Sequence, residues 1–209
     1  MISQKQLRFV VKPIVFVACL LPAALIVTDT FGLTGSLGAN PIEEILDRFG
    51  ILGIQFILIA LAVTPLRQLT GWTQLARFRR MLGLFAFFYV FMHFLTWLVL
   101  DRGLAWQDIL EDIVKRPFIT IGMIALVLLI AMAATSFNRL RQRMGRRWQK
   151  LHCSVYAVGV LGVWHYWWQV KADALEPAIY ASILTALLGY RVYKRRKRRN
   201  PREAVLATQ

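Results

Sequence analysis

The stretch whose reading decides the fold is WQKLHCSVYAVGVLGVWHYWW, residues 148–168. It is apolar, long enough to be a helix, and carries His152 and His165, two of the chain's three histidines. The third, His93, sits in a second segment of the same kind, RFRRMLGLFAFFYVFMHFLTWLVLD, residues 77–101. An ionisable ring at bilayer depth is costly unless it is paired or bound, so an intramembrane histidine starts as a functional hypothesis. All three histidines are placed in this way.

Working outward, hydrophobic residues make up 57% of the 209 positions, well above the share of about 45–50% in soluble domains. Apolar runs recur at 13–28, 50–66, 82–100, 117–135, 152–168 and 175–192. Each approaches the roughly 20 residues that a helix needs to cross a hydrocarbon core. The pattern predicts an all-α polytopic membrane protein, a six-transmembrane helix bundle forming one domain over 1–209, with a basic tail over 194–209.

A net charge of +15 suggests nucleic acid at first sight. Sorting the charges by segment removes that reading. Most of the basic residues fall near the amino terminus, between spans two and three, between spans four and five, and after span six, whereas every acid except Glu203 falls in the alternate loops. This is the positive-inside bias, and it predicts that both termini are cytoplasmic. The partners of the arginines between spans four and five are then anionic membrane lipids, not a polynucleotide.

The first apolar run reads as an uncleaved span, since no small-x-small cleavage site stands between Val27 and Gly32. Asn40, Pro41, Glu43 and Glu44 are expected to open a short surface helix in the first outer loop, and Pro65 to help close the second span. The segment around Ile109, Ile113 and Val114, with acids between them, reads as an interfacial amphipathic helix. A short outer turn holds Lys171, Asp173 and Glu176. Cys19 and Cys153, both in apolar segments, read as small hydrophobes, and the tryptophans as an interfacial belt. No nucleotide-binding glycine motif, CxxC, HExxH or internal repeat is apparent.

His93 and His165, on spans of the same direction, fall within about 5 Å of one depth at 1.5 Å per residue. One imidazole from each of two helices at equal depth is the arrangement that grips a haem iron axially. Gly162 and Gly159, three and six positions before His165, would leave room for a flat macrocycle. Zinc fits less well, because it takes closely spaced tetrahedral ligands. His152 lies about 20 Å from His165 along a helix, and on an ideal helix the two rings point about 140° apart. Either the helix is irregular between them or His152 meets its ligand from the first turn. Arg67, Arg77, Arg79, Arg80 and Arg147 read as lipid anchors, with pairing to haem propionates or a flavin phosphate as the alternative.

With those residues in hand, the chain resembles the ferric-reductase-like transmembrane family, and within it the haem-binding membrane subunits that serve bacterial methionine sulfoxide reductases. The likeness is carried by RRMLGLFAFFYVFMH (79–93), KRPFITIGM (115–123) with the following TS (135–136), GRRWQKLHCSVY (145–156), HYWWQVK (165–171) and LGANP (37–41). It implies a haem b protein of the inner membrane, associated also with FMN. Such a protein takes electrons from the quinone pool or a cytosolic flavin reductase and passes them to a periplasmic molybdopterin-containing reductase, where catalysis lies. It implies that His93, His152 and His165 are the haem-related histidines and iron ligands. Arg79 stands where the family usually has a fourth, so one haem or two remain open. A stand-alone ferric or cupric reductase, or a non-redox transporter with a histidine proton path, are the alternatives at this point.

Overall fold

Helix α1, Gln4–Thr30, starts on a capping box in which Ser3 and Gln6 bond each other's backbone. The computed structural model describes residues 3–170 and 174–199, so Lys171 and Asp173 of the expected outer turn lie outside the described residues, as does 200–209. Helix α2, Pro41–Thr70, follows a loop, then α3, Arg79–Asp101, the short α4, Trp106–Lys115, and α5, Pro117–Ala134. Two one-to-two-turn helices come next, α6, Asn138–Met144, and α7, Arg146–His152. Helices α8, Val155–Gln169, and α9, Leu175–Arg199, complete the chain, and no strand occurs among the described residues.

Four of these, α1, α2, α3 and α5, are by themselves long and apolar enough to cross a membrane. Helix α8 has 15 residues, about 22 Å at 1.5 Å each and so short of a hydrocarbon core of about 30 Å. Helix α9 is long, but Glu176 and the basic run from Arg191 shorten its uncharged part.

Helix α2 departs from expectation at both ends. Pro41, Glu43 and Glu44 open the long helix itself and not a separate surface helix, because nothing between Phe49 and Ile51 interrupts the backbone ladder. The Asn40 side chain makes no bond to the helix backbone and instead donates to Glu43 Oε2 at 2.9 Å. At the other end Pro65 is buried within the helix, which continues to Thr70 and stops at Gly71 with φ of 69°, a left-handed cap that glycine adopts without strain.

The principal helices run alternately between two chemically different ends. At one end Arg77 bonds Gln4, Arg79 bonds Thr64, Arg80 Nη1 donates to Asn138 Oδ1 at 3.1 Å, and Arg191 donates to the Leu61 carbonyl and to the Tyr156 hydroxyl. At the other, Arg48 pairs with Asp29 at 2.7 Å, and the Tyr166 hydroxyl donates to Glu176 at 2.6 Å. The core between them joins α1, α2 and α3 through Phe56, Phe85 and Tyr89. Tyr89 is fully buried, stacks on Phe56 and donates to the Cys19 carbonyl of α1 at 2.6 Å. Cys19 is buried behind it, whereas Cys153 is exposed at the junction of α7 and α8, and both are free.

Candidate functional site

Helices α2 and α3 pack as one antiparallel pair, and α5 and α8 as another. His93 projects from α3 and turns Nδ1 onto the Leu46 carbonyl of α2 at 2.9 Å. His165 projects from α8 and turns Nδ1 onto the Phe118 carbonyl of α5 at 2.7 Å. A carbonyl only accepts, so each Nδ1 carries the proton and each Nε2 is left with its lone pair. The two rings face one another across the pairs, centroids 6.1 Å apart and planes at 85°.

Both rings line a cavity of about 1050 Å³ that also touches Ile54, Leu126, Val158 and Gly162. That volume lies just above the range of about 300–1,000 Å³ usual for cofactor sites. Its walls are apolar toward the middle of the bundle, and its rim is charged, with Glu43, Asp47, Asp101, Arg102, Arg116 and Glu176. The rim owes its shape to the last turn of α3, Thr96–Asp101, which widens so that Arg102 N–H bonds the Trp97 carbonyl five residues back at 3.0 Å. Widened turns of this kind are frequent at functional sites. This one carries Trp97, Asp101 and Arg102 to the cavity.

Helix α4 is tied to the rim by ion pairs. Its Asp112 is buried and pairs with Arg102 at 2.7 Å and Arg116 at 3.2 Å, so an acid expected on the wet face points inward. Ile109 is buried beside it, and Trp106, Leu110 and Val114 form the exposed side.

The other predicted residues take different places in this geometry, and the break between the two histidines is the irregular helix that was one of the two alternatives. His152 does not continue the helix of His165: it ends α7, and a turn at Cys153 and Ser154 separates the two. The 140° offset of an ideal helix therefore does not apply. His152 is apart from the cavity. It stacks on Trp148, centroids 3.9 Å apart, and its Nε2 lies 3.3 Å from Thr135 Oγ1. Trp148 donates to the Thr135 carbonyl at 3.0 Å, and Trp97 is buried and lines the cavity. Gly162 opens on the cavity, but Gly159 packs against Leu184 of α9. Arg79 also lies away from the cavity, within electrostatic reach of Arg67, Arg191 and Tyr156.

Sequence reasoning missed Gly50 and Gly122, each packed directly on a histidine ring, and Arg102, Asp112 and Arg116. The ion-pair spacing of Asp112 and Arg116, four apart, was a usable signal.

Among the described residues no group of three or more His, Cys, Asp or Glu gathers as a metal site. Two imidazoles alone suit a metal whose other ligands arrive with it. With metal–nitrogen bonds of about 2 Å, rings whose centres are 6.1 Å apart could hold one metal atom between them.

Residues 49–163 match the family described as "Ferric reductase like transmembrane component". The chain is 47% identical over 188 residues to the protein-methionine-sulfoxide reductase heme-binding subunit MsrQ of Xanthomonas euvesicatoria pv. vesicatoria (strain 85-10), covering 88% of this chain and 86% of that one. It is 52% identical over 160 residues to the MsrQ of Xanthomonas campestris pv. campestris (strain 8004), covering 77% and 73%. It is 47% identical over 184 residues to the MsrQ of Bordetella pertussis (strain Tohama I / ATCC BAA-589 / NCTC 13251), covering 87% and 88%.

Proposed function

This chain belongs to the ferric-reductase-like transmembrane family and, within it, to the heme-binding subunits of protein-methionine-sulfoxide reductase; from that premise we propose that it is the haem b subunit that relays electrons across the inner membrane to a periplasmic molybdopterin-containing reductase. The observation that carries this reading is the facing pair His93 and His165, each with Nδ1 held by a carbonyl, Nε2 left with its lone pair, and its ring lining the same cavity. When bound there, a haem supplies reversible one-electron exchange, at a potential set by axial ligation, hydrogen bonding and burial.

The protein's own part is to hold and to insulate. Leu46 and Phe118 fix the imidazole tautomers through their carbonyls, and Ile54, Leu126 and Val158 keep water from the middle of the site. Arg102 and Arg116, both paired with Asp112 and lining the cavity, are the candidates to hold the carboxylates of a haem.

The arginine-bearing end takes the cytoplasmic side under the positive-inside bias. All six principal helices are then spans, with α8 completed by the turn and short helix before it, both termini are cytoplasmic, and the His93–His165 pair sits toward the periplasm. Electrons enter at the opposite end from the quinone pool or a cytosolic flavin reductase. His152, stacked on Trp148, and the group Arg67, Arg79 and Arg191 lie at that end. His152 is the candidate for an inner haem contact, and the arginines for the phosphate of an FMN. The sulfoxide is reduced on the partner, not on this chain.

Proteoliposomes test the route. The chain is incorporated with haem b, reduced by a quinol or by a flavin reductase with its nucleotide, and mixed with the periplasmic reductase and methionine sulfoxide. Reoxidation of the haem only when both reductase and sulfoxide are present is the expected result. Reoxidation by chelated ferric iron but not by that pair would identify a stand-alone metal reductase instead.

A further inference from the structure

The imidazole cradle is built twice. On α2 and α3 the residues are Leu46, Gly50 and His93; on α5 and α8 they are Phe118, Gly122 and His165. In each, the accepting carbonyl and the histidine are 47 residues apart, and the glycine stands one helical turn beyond the carbonyl. The equivalence extends to contact distance. A Cβ added at Gly50 would lie 2.9 Å from His93 Nδ1 and 3.1 Å from its Cε1, and one added at Gly122 would lie 3.0 Å from both Nδ1 and Cε1 of His165. Distances of this size leave no space for a methyl group.

Other glycines show that this is a property of the two positions and not of small residues in these helices. Gly83, on the same helix as His93, and Gly162, on the same helix as His165, would meet nothing within 4 Å. A Cβ added at Gly53, close to Gly50 on α2, would meet Val90 Cγ2 at 2.7 Å and no histidine.

Resting on the reading that His93 and His165 ligate a haem, we propose that Gly50 and Gly122 are positioning residues for its two axial imidazoles. By lacking a Cβ, each lets a ring come close enough to a helix for Nδ1 to reach a main-chain carbonyl one turn away. That hydrogen bond fixes the proton on Nδ1, leaves Nε2 for the metal, and locks the ring about its Cβ–Cγ bond. Because both rings are locked from their own helix pair, the 85° between their planes is imposed by the protein and does not relax to the parallel arrangement. An alanine at either position must push its ring away, stretching the bond to the carbonyl and freeing the plane.

The experiment is electron paramagnetic resonance of the purified, haem-loaded full chain in the ferric state, with haem content measured per chain. Perpendicular imidazole planes give a highly anisotropic low-spin signal, and parallel planes a rhombic one. The wild-type protein is expected to show the first. Gly50→Ala and Gly122→Ala are each expected to shift the signal toward the rhombic form and to weaken haem binding by about 10–100-fold, the usual consequence of disturbing the groups that orient a metal ligand. Gly83→Ala and the packing control Gly53→Ala should keep the wild-type signal in the haem they retain. A rhombic wild-type signal would overturn the inference without requiring any variant to fold. A signal unmoved by both Gly50→Ala and Gly122→Ala, or moved equally by Gly53→Ala, would overturn it as well. In all these cases haem is bound, so the functional reading stands; a chain that binds no haem would remove that reading and the inference with it.

Discussion

Asp112 of α4 lies 2.7 Å from the guanidinium of Arg102 at the end of α3, and that pair ties an otherwise peripheral amphipathic helix to a side chain that lines the cavity. Asp112 also meets Arg116, so one buried carboxylate sets two cations. Replacing it with alanine leaves Arg116 without this ion pair and Arg102 with Asp101 alone, at 3.2 Å. Asp112→Ala is expected to cost about 1–3 kcal/mol of stability, the usual penalty for a group stripped of its partner, and to weaken haem retention. Thermal unfolding in detergent, followed by haem absorbance, reads both.

Arg191 ties α9 to α2 and α8. Its Nη2 donates to the Leu61 carbonyl at 2.5 Å, its Nη1 to the Tyr156 hydroxyl at 2.8 Å, and its guanidinium lies 5.0 Å from the centre of the Tyr156 ring. Lysine cannot reproduce a fork that serves two acceptors and stacks on a ring. Arg191→Lys should therefore lower the melting temperature nearly as much as Arg191→Ala, and both should leave the haem spectrum unshifted in the folded fraction. A lysine variant as stable as wild type would show that the charge alone suffices.

His152 is separated from the cavity by the break at Cys153 and Ser154. His152→Ala is accordingly expected to preserve the low-spin spectrum of the His93–His165 haem while slowing its reduction by the physiological donor. Stopped-flow reduction by quinol or flavin reductase, set against reduction by dithionite, separates the two effects. Equal slowing with both reductants would mean that His152 acts on the haem itself.

Tyr89 is buried between α1, α2 and α3, with its hydroxyl on the Cys19 carbonyl. Tyr89→Phe removes a single interhelical hydrogen bond, worth about 0.6–2 kcal/mol in a membrane setting. The expected outcome is a modest loss of stability in urea or thermal titrations, with haem content unchanged.

Much of this architecture was legible from residue pattern. The apolar runs marked every principal helix, since a stretch that must satisfy its backbone in lipid has few alternatives, and the depths of His93 and His165 foretold their meeting. What was not legible depends on packing between helices. Gly50 and Gly122 look like ordinary small residues until a ring is found against them. Asp112 looks like a surface acid until Arg102, brought round by the widened turn of α3, faces it. The extension of α2 to Thr70 was hidden because Pro65, taken to help close the span, is here buried within the helix. The break after His152 was hidden because HCSV carries neither glycine nor proline, so nothing in its composition announces it.

The most direct test of the central claim is haem stoichiometry with the optical spectrum of the purified chain and of two variants, His93→Ala and His165→Ala. The wild-type chain should carry a low-spin bis-imidazole haem b, and each variant should lose that spectrum, since either ring alone leaves the iron without one axial nitrogen. A wild-type chain that stays colourless when haem is supplied, or a low-spin spectrum unchanged in both variants, would contradict the assignment.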